Sequence, residues 1–403
     1  MAQRKKILFI HHGTGLGGAP LSLLYLVQGL SPDAFEPVVA FLHASEALTL
    51  FEEHNISTVG PLTWYDFPHT RIWWFRWYHA HKLLRSYLHT LVTLFFVAPR
   101  LYRQQKPAIV HLNTSSLIAY GLAAKWMGIP VVWHIREPLA VGYIGFRKML
   151  VQKCVAYAAT RIVSICKHDA LPWRDNPKTH VVYNAVPAER FTPALSAEPL
   201  KRALDLGQAP TILFVGGCAR EKGTLTILKA FQLVLEKIPS ARLLIAGTLP
   251  PAASTGQYAL RPAERYGAQV RHAIEQCKGQ VTLLGVTTAI PEAMAAANVV
   301  VFPATVGHFA RPVIEAGFMK KPVIASRLAP LEELIMDKIT GFLLDPYDYP
   351  KWGDTLITLL TDTSLASTMG QAGYDYCTQK FSLPKQLSQM TQLYIDVTER
   401  KSA

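Results

Sequence analysis

The chain has 403 residues, half of them hydrophobic, which excludes a disordered polymer and exceeds one ordinary core, so two globular α/β domains are expected. Its formal net charge of +13 requires an anionic partner, whether nucleic acid, an anionic lipid surface or a phosphorylated substrate. Cys154, Cys166, Cys218, Cys277 and Cys377 are scattered, with no CxxC pair and no histidine cluster at metal-ligand spacing; a reducing compartment fits best.

Residues 1–6 run straight into an apolar strand at 7–10, too short for a signal-peptide core and lacking a small-residue cleavage site, so a cytoplasmic protein is expected. Short β-branched runs at 6–11, 37–42, 108–112, 131–135, 161–165 and 181–183 alternate with helical patterns, as buried parallel strands with crossover helices do. After the first strand, Leu23, Leu26, Val27 and Leu30 fall at the spacing of a helix with one buried face.

From 67 to 107 there is no Asp or Glu, while Arg71, Arg76, Lys82, Arg85, Arg100, Arg103 and Lys106 interleave with Trp73, Trp74, Phe75, Trp77 and Tyr78. Cations beside tryptophans suit the surface of an anionic leaflet, and a peripheral place on the inner membrane face follows. The same stretch also reads as a helical insertion whose aromatics pack on the first domain. Aromatics among cations would suit single-stranded nucleic acid too, but nothing else reads as a nucleic-acid module, and no such partner is expected. The longest apolar run, 91–99, is well under the roughly 20 residues of a spanning helix.

A Pro- and Ala-rich stretch at 187–210 breaks the rhythm, and the junction falls just after Asn184. This gives an N-terminal domain over 1–186, carrying the arm at 67–107, a second domain over 187–377 and a closing helical segment over 378–403. Strands are expected at 211–215, 242–246, 281–284, 299–302, 322–325 and 342–344, and the last helix places Leu387, Met390, Tyr394 and Val397 on one face. Two successive units that each open with strand, glycine turn and helix imply similar folds in tandem, with ligands beyond the carboxyl ends of their strands in a cleft between the sheets.

Four places carry chemistry. The turn His11-His12-Gly13-Thr14-Gly15-Leu16-Gly17-Gly18 lets backbone approach an anion at a helix N-terminus, with Gly17 and Gly18 nearest the helix, or is simply a tight turn. It lacks the spacing and the later acid of a dinucleotide fingerprint. The turn Gly216-Gly217-Cys218-Ala219-Arg220-Glu221-Lys222-Gly223 sets two cations, Arg220 and Lys222, where a pyrophosphate leaving group could be stabilised without a metal; solvated surface charges are the plainer reading.

The run 302–316 holds one acid, Glu315, among apolar neighbours, with His308, Phe309, Ala310 and Arg311 on the loop before it. A carboxylate there needs partners, either two ribose hydroxyls or a helix-end role. His134, within Trp133-His134-Ile135-Arg136-Glu137-Pro138, ends a strand where the cleft should open, as a functional group or as a satisfied structural histidine. No D-x-D pair occurs, so no metal and no cofactor are expected.

Over nearly their full length these residues resemble the retaining glycosyltransferases of family four. The matches are Gly17-Gly18-Ala19, Trp133-His134-Ile135-Arg136-Glu137, Tyr183-Asn184, Glu221-Lys222-Gly223, Glu315-Ala316, Lys321-Pro322-Val323-Ile324-Ala325-Ser326 and Thr340-Gly341-Phe342-Leu343-Leu344-Asp345-Pro346. The resemblance implies an α/β GT-B architecture: two Rossmann-like domains facing a cleft, the first for the acceptor and the second for the nucleotide sugar, with the closing helix crossing back to the first.

It further implies Glu315 on the donor ribose, Lys222 on the diphosphate and His134 on the sugar near the reacting centre, in transfer of a hexosyl group from a nucleoside diphosphate sugar to a glycan or lipid-linked acceptor. Three positions depart from the family pattern. Gly307 stands where the family's first acid contacts donor sugar hydroxyls, Gly217 where many members carry a phosphate-binding Arg, and Pro20 where an acid usually follows the paired glycines. Gly307 keeps open a non-catalytic subunit that binds a partner enzyme; a sugar-nucleotide epimerase or hydrolase is the other alternative.

Overall fold

The computed structural model describes residues 4–13, 15, 17–62, 80–139, 141, 145–249 and 262–399. Thr14 and Leu16 of the first glycine turn, and Arg71, Trp73, Trp74, Phe75, Arg76, Trp77 and Tyr78 of the arm, lie outside the described residues. The chain divides into two compact units, Met1–Ala185 with Leu383–Ala403, and Val186–Ser382. The division expected at 377/378 falls instead inside the helix Thr363–Lys380, whose periodicity runs on without a break.

The first unit is built on β1 (Lys5–His11), β2 (Phe35–Phe41), β3 (Thr58–Val59), β4 (Ile109–Leu112), β5 (Val131–Ile135), β6 (Arg161–Ser164) and β7 (Thr179–Val181). All pair in parallel in the order β3-β2-β1-β4-β5-β6-β7. Ile7, Leu8, Phe9 and Ile10 of β1 are all fully buried, because helices cover both faces of such a sheet. On one face Phe9, Phe35 and Val39 pack with the helix Gly18–Gln28 and with Met390, Tyr394 and Val397 of the closing helix Leu383–Glu399. The closing helix fits closely there: a Cβ on Gly29 would strike Leu387. On the other face Leu8, Ile10 and Trp133 pack with Tyr102, Tyr120 and Val155.

The arm divides in character. The helix Ala80–Val92 passes through a π turn at Thr93–Val97 into Ala98–Gln105, where Leu101 and Tyr102 are buried and the Tyr102 hydroxyl donates to the Tyr120 carbonyl at 2.8 Å. Before that, Leu84, Tyr87, Leu88, Phe95 and Phe96 are exposed, up to 70 % for Phe96, beside exposed Arg85 and Arg100. No helix among the described residues is long and apolar enough to cross a membrane.

The second unit carries β8 (Thr211–Val215), β9 (Arg242–Ala246), β10 (Val281–Gly285), β11 (Val299–Phe302), β12 (Val323–Ser326) and β13 (Gly341–Leu344), again all parallel, in the order β10-β9-β8-β11-β12-β13. Its core joins Ile212, Phe214, Val299 and Val301 of the central strands to Phe231 and Trp352 of helices Thr224–Lys237 and Tyr349–Thr361. In both sheets the strand order reverses beside the first strand, between β1 and β4 and between β8 and β11. Ligands of open α/β sheets bind outside the carboxyl ends of strands at such reversals.

Candidate functional site

In the second unit the reversal point is occupied by the second glycine turn and the loop after β11. The amides of Gly216 and Gly217 both donate to the Ala246 carbonyl, at 3.0 and 2.9 Å. Gly217 adopts φ +71°, with Thr248 backbone where a Cβ would stand. The Arg carried by many family members at this position therefore has no room here. Arg220, exposed, lies over the Tyr266 ring at 5.4 Å.

Lys222 is mostly withdrawn from solvent, and its Nζ donates to Nε2 of His308 at 2.7 Å. An ammonium can only donate, so His308 carries its proton on Nδ1, which reaches the Val306 carbonyl at 2.9 Å. Burial first, then the Lys222 charge, push the His308 pKa down to about 4, against the pull of the Val306 carbonyl. Burial likewise lowers the Lys222 pKa. Among the described residues no carboxylate lies within ion-pair distance of Lys222, so its charge is held by a neutral imidazole and the face of Phe302 at 5.6 Å.

The loop is tied to the turn by the Thr305 amide on the Glu221 carbonyl at 3.0 Å and the Thr305 hydroxyl on the Arg220 carbonyl at 3.1 Å. A Cβ on Gly307 would land on the carbonyl oxygen of Ala329. Ala310 precedes the helix Arg311–Phe318, and Phe309 packs edge-on near Phe381. Within that helix Arg311 and Glu315, both buried, form an ion pair at 3.0 Å. Burial raises the Glu315 pKa, opposed by Arg311 and Arg190. The structure thus gives Glu315 a protein partner, Arg311, which sequence reasoning did not assign to it.

In the first unit the ends of β1, β4 and β5 gather a buried polar cluster. His11 Nδ1 meets Asn113 Nδ2 at 2.9 Å, and Arg136 reaches Asn113 Oδ1 at 2.5 Å and Asn184 Oδ1 at 2.8 Å. His134 Nδ1 lies 3.2 Å from His111 Nε2, whose other nitrogen meets the Tyr394 hydroxyl at 2.8 Å. Glu137 Oε1 accepts from the Thr114 hydroxyl, the Ser115 hydroxyl and the Ser115 amide. Gly17 caps the helix Gly18–Gln28 at its N-terminus, and a Cβ on Gly15 or Gly17 would meet no described atom within 4 Å, so the turn leaves open space there.

The expected residues therefore fall into two groups, Arg220, Lys222, His308, Arg311 and Glu315 in one unit and His134 with the Gly17-Gly18 turn in the other. Missed altogether were His111, Asn113 and Tyr394. Tyr394 reads in sequence as one more apolar position of a helical stripe, and only its hydroxyl distinguishes it. Among the described residues no group of three or more His, Cys, Asp or Glu is placed to hold a metal ion.

Residues 198–376 match the family model of the glycosyl transferases, group 1. The chain is 24% identical over 357 residues, 85% of its length and 88% of the relative's, to the UDP-Gal:alpha-D-GlcNAc-diphosphoundecaprenol alpha-1,3-galactosyltransferase of Escherichia coli. It is 22% identical to the capsular polysaccharide biosynthesis glycosyltransferase CapM of Staphylococcus aureus, over 75% of this chain and 80% of that one. Its fold is similar to that of Anabaena HepE in complex with UDP and glucose, with a TM-score of 0.78 and 18% identity over 98% of this chain and all of the other.

Proposed function

We propose, from the premise that this chain is a glycosyltransferase of the GT-B architecture, that it is a retaining enzyme of family four moving a hexosyl group from a nucleoside diphosphate sugar to a glycan or lipid-linked acceptor. The observation that carries this reading is Lys222, held at the reversal point of the second sheet by a neutral histidine and, among the described residues, with no carboxylate within ion-pair distance. A cation so placed suits the diphosphate that must accumulate charge as the glycosidic bond breaks.

Arg220 assists Lys222 at the diphosphate, and Gly216, its own amide held by the Ala246 carbonyl, shapes the turn that presents them. Glu315, steered by Arg311, accepts the ribose hydroxyls with its remaining lone pairs, while His308, Phe309 and Ala310 line the nucleotide. Gly17 and Gly18 offer helix N-terminal amides to the donor, and His134 serves the sugar. No protein nucleophile and no metal are required: the leaving phosphate helps to deprotonate the acceptor, while the fixed cations stabilise charge.

One relative's name specifies a diphosphoundecaprenol-linked acceptor and another's capsular polysaccharide, which supports a setting in cell-surface polysaccharide or glycolipid assembly. The exposed apolar residues Leu84, Leu88, Phe95 and Phe96 with Arg85 and Arg100 would rest on an anionic inner leaflet.

One observation favours the second reading, a non-catalytic subunit. The family's first acid is not only missing at Gly307; the Ala329 carbonyl takes the space its Cβ would need. Thermal shifts with uridine, guanosine and adenosine diphosphate sugars, on wild type and Glu315→Ala, separate the two. A donor that stabilises wild type and not the variant supports the nucleotide site and names the base; no shift with any donor moves the weight to the subunit.

A further inference from the structure

In the second unit the turn after β8 and the loop after β11 are pressed together by their backbones. Gly223, at φ +75°, sets the turn against Pro303, whose carbonyl stands where a Cβ would be. Thr305 bonds the carbonyls of both Arg220 and Glu221. Lys222 and His308 meet as a result: Nζ donates to Nε2 at 2.7 Å, and the Val306 carbonyl fixes the ring from its other nitrogen at 2.9 Å. The pair is thus two bases, amine and imidazole, that hold one titratable proton and one positive charge between them. Both residues remain partly accessible to solvent.

The diphosphate of a sugar nucleotide carries two negative charges, and Lys222 balances one. The other cations nearby are less suited to the second. Arg220 lies exposed over the Tyr266 ring, where water screens it, and Arg311 is paired with Glu315. Gly217 has no room for a side chain, and Glu221, the acid that acts on Lys222, is exposed.

Burial first, and the Lys222 charge second, keep His308 neutral in the free protein with a pKa of about 4. A diphosphate beside Lys222 reverses the second cause. One negative charge about 4 Å away, at an effective dielectric of about 20, moves a titration by roughly three pH units, which returns His308 to the ordinary histidine range.

We propose that the Lys222–His308 pair takes up a proton when a sugar nucleotide binds: Lys222 Nζ turns to the diphosphate, His308 Nε2 gains a proton from solvent, and the imidazolium is the second cation of the site. The inference rests on the glycosyl-transfer reading above and deepens it. His308 is then a binding residue for the diphosphate whose charge exists only in the complex, so the free protein does not hold two adjacent cations in a partly buried place. Because the complex binds more protons than the free protein, affinity strengthens as pH falls through the histidine range.

Calorimetric titration of the full chain with the sugar nucleotide that the panel selects, repeated in buffers of different ionisation heat, counts the protons. A sugar-substituted diphosphate lacks the terminal phosphate ionisation of a free nucleotide, so the count belongs to the protein. At about pH 6.5 wild type should take up roughly 0.5–1 proton, and its Kd should rise about tenfold from about pH 6 to about pH 8. His308→Gln keeps an acceptor for Lys222 and a donor for Val306; its uptake should vanish and its Kd should stay level within about twofold over that range. The imidazolium is also visible without a variant, as a ring protonated on both nitrogens in 15N–1H spectra of the complex and not of the free protein.

An ammonium has three N–H groups, so Nζ could keep His308 and touch the diphosphate at once. Binding would then take up no proton, and that result overturns the inference alone, as does an uptake that His308→Gln leaves unchanged. If no sugar nucleotide binds wild type, the glycosyl-transfer reading falls and this inference falls with it.

Discussion

Replacing Lys222 with methionine should separate ligand binding from folding. Among the described residues the ammonium contacts a neutral imidazole and an aromatic face and forms no ion pair, and burial, against the pull of Glu221, depresses its pKa. A diphosphate oxygen at about 4 Å would be attracted by roughly 4 kcal/mol at an effective dielectric near 20. Lost hydration offsets much of that, leaving about 1.5–3 kcal/mol for a charged hydrogen bond. Kd for the nucleoside diphosphate should therefore rise about 10- to 150-fold.

Binding of the bare nucleoside should not change, because Lys222 is expected to touch only the diphosphate. The ligand-free unfolding temperature should hold or rise, since a cation held against burial is removed. Calorimetric titration with UDP and uridine, or with the diphosphate and nucleoside that the panel selects, measures both arms. Equal weakening of nucleoside and diphosphate, or no weakening of either, would refute the assignment of Lys222 to the leaving group.

Three further outcomes are expected. Gly307→Ala should lower stability by about 1–3 kcal/mol, because its Cβ must displace the Ala329 carbonyl; Gly307→Glu should do the same without raising turnover, and an unchanged melting curve for either would contradict the packing described. His308 has a folded-state pKa near 4, below its unfolded value, so the unfolded chain binds more protons between those values. Stability from this group is complete above about pH 6.5 and is lost as pH falls towards 4; His308→Gln should make the acid decline of Tm shallower, and an identical slope would count against it. Finally, vesicles containing anionic phospholipid should sediment the protein more than neutral ones, with loss on adding salt or on Phe96→Ser and Arg100→Glu together; binding indifferent to charge and salt would remove the leaflet as partner.

The strands were legible because each is a short apolar run between turn residues, and most lie within two residues of where that pattern puts them. β3 escaped because Thr58–Val59 is two residues long and only half-buried. β7 begins at Thr179, ahead of the expected 181, since Thr179 and His180 pair with Ile162 and Val163 although neither is apolar. In the second unit the glycine turn and the loop at 302–310 were legible as a site because cations and a histidine interrupt apolar sequence at strand ends.

Their connections were not legible. The Lys222–His308 contact spans 86 positions and the Tyr394–His111 contact 283, so no local spacing announces either. The same holds for Gly217 and Gly307, which sequence marks as departures from a family pattern. Only the neighbouring Thr248 and Ala329 backbones show that the fold itself now keeps side chains out.

The discontinuity of the first unit bears on how the protein is made. Its sheet is complete once Val181 has been added, yet the face of β1 that the helix Gly18–Gln28 covers in part is not closed until Met390, Tyr394 and Val397 arrive. The second unit is continuous in sequence and can close as soon as it leaves the ribosome. During synthesis the order of completion therefore inverts the order of the genetic message: the half encoded first is finished last. The interval in which Phe9 and Phe35 lack the edge-on packing of Tyr394 is the time needed to translate everything between.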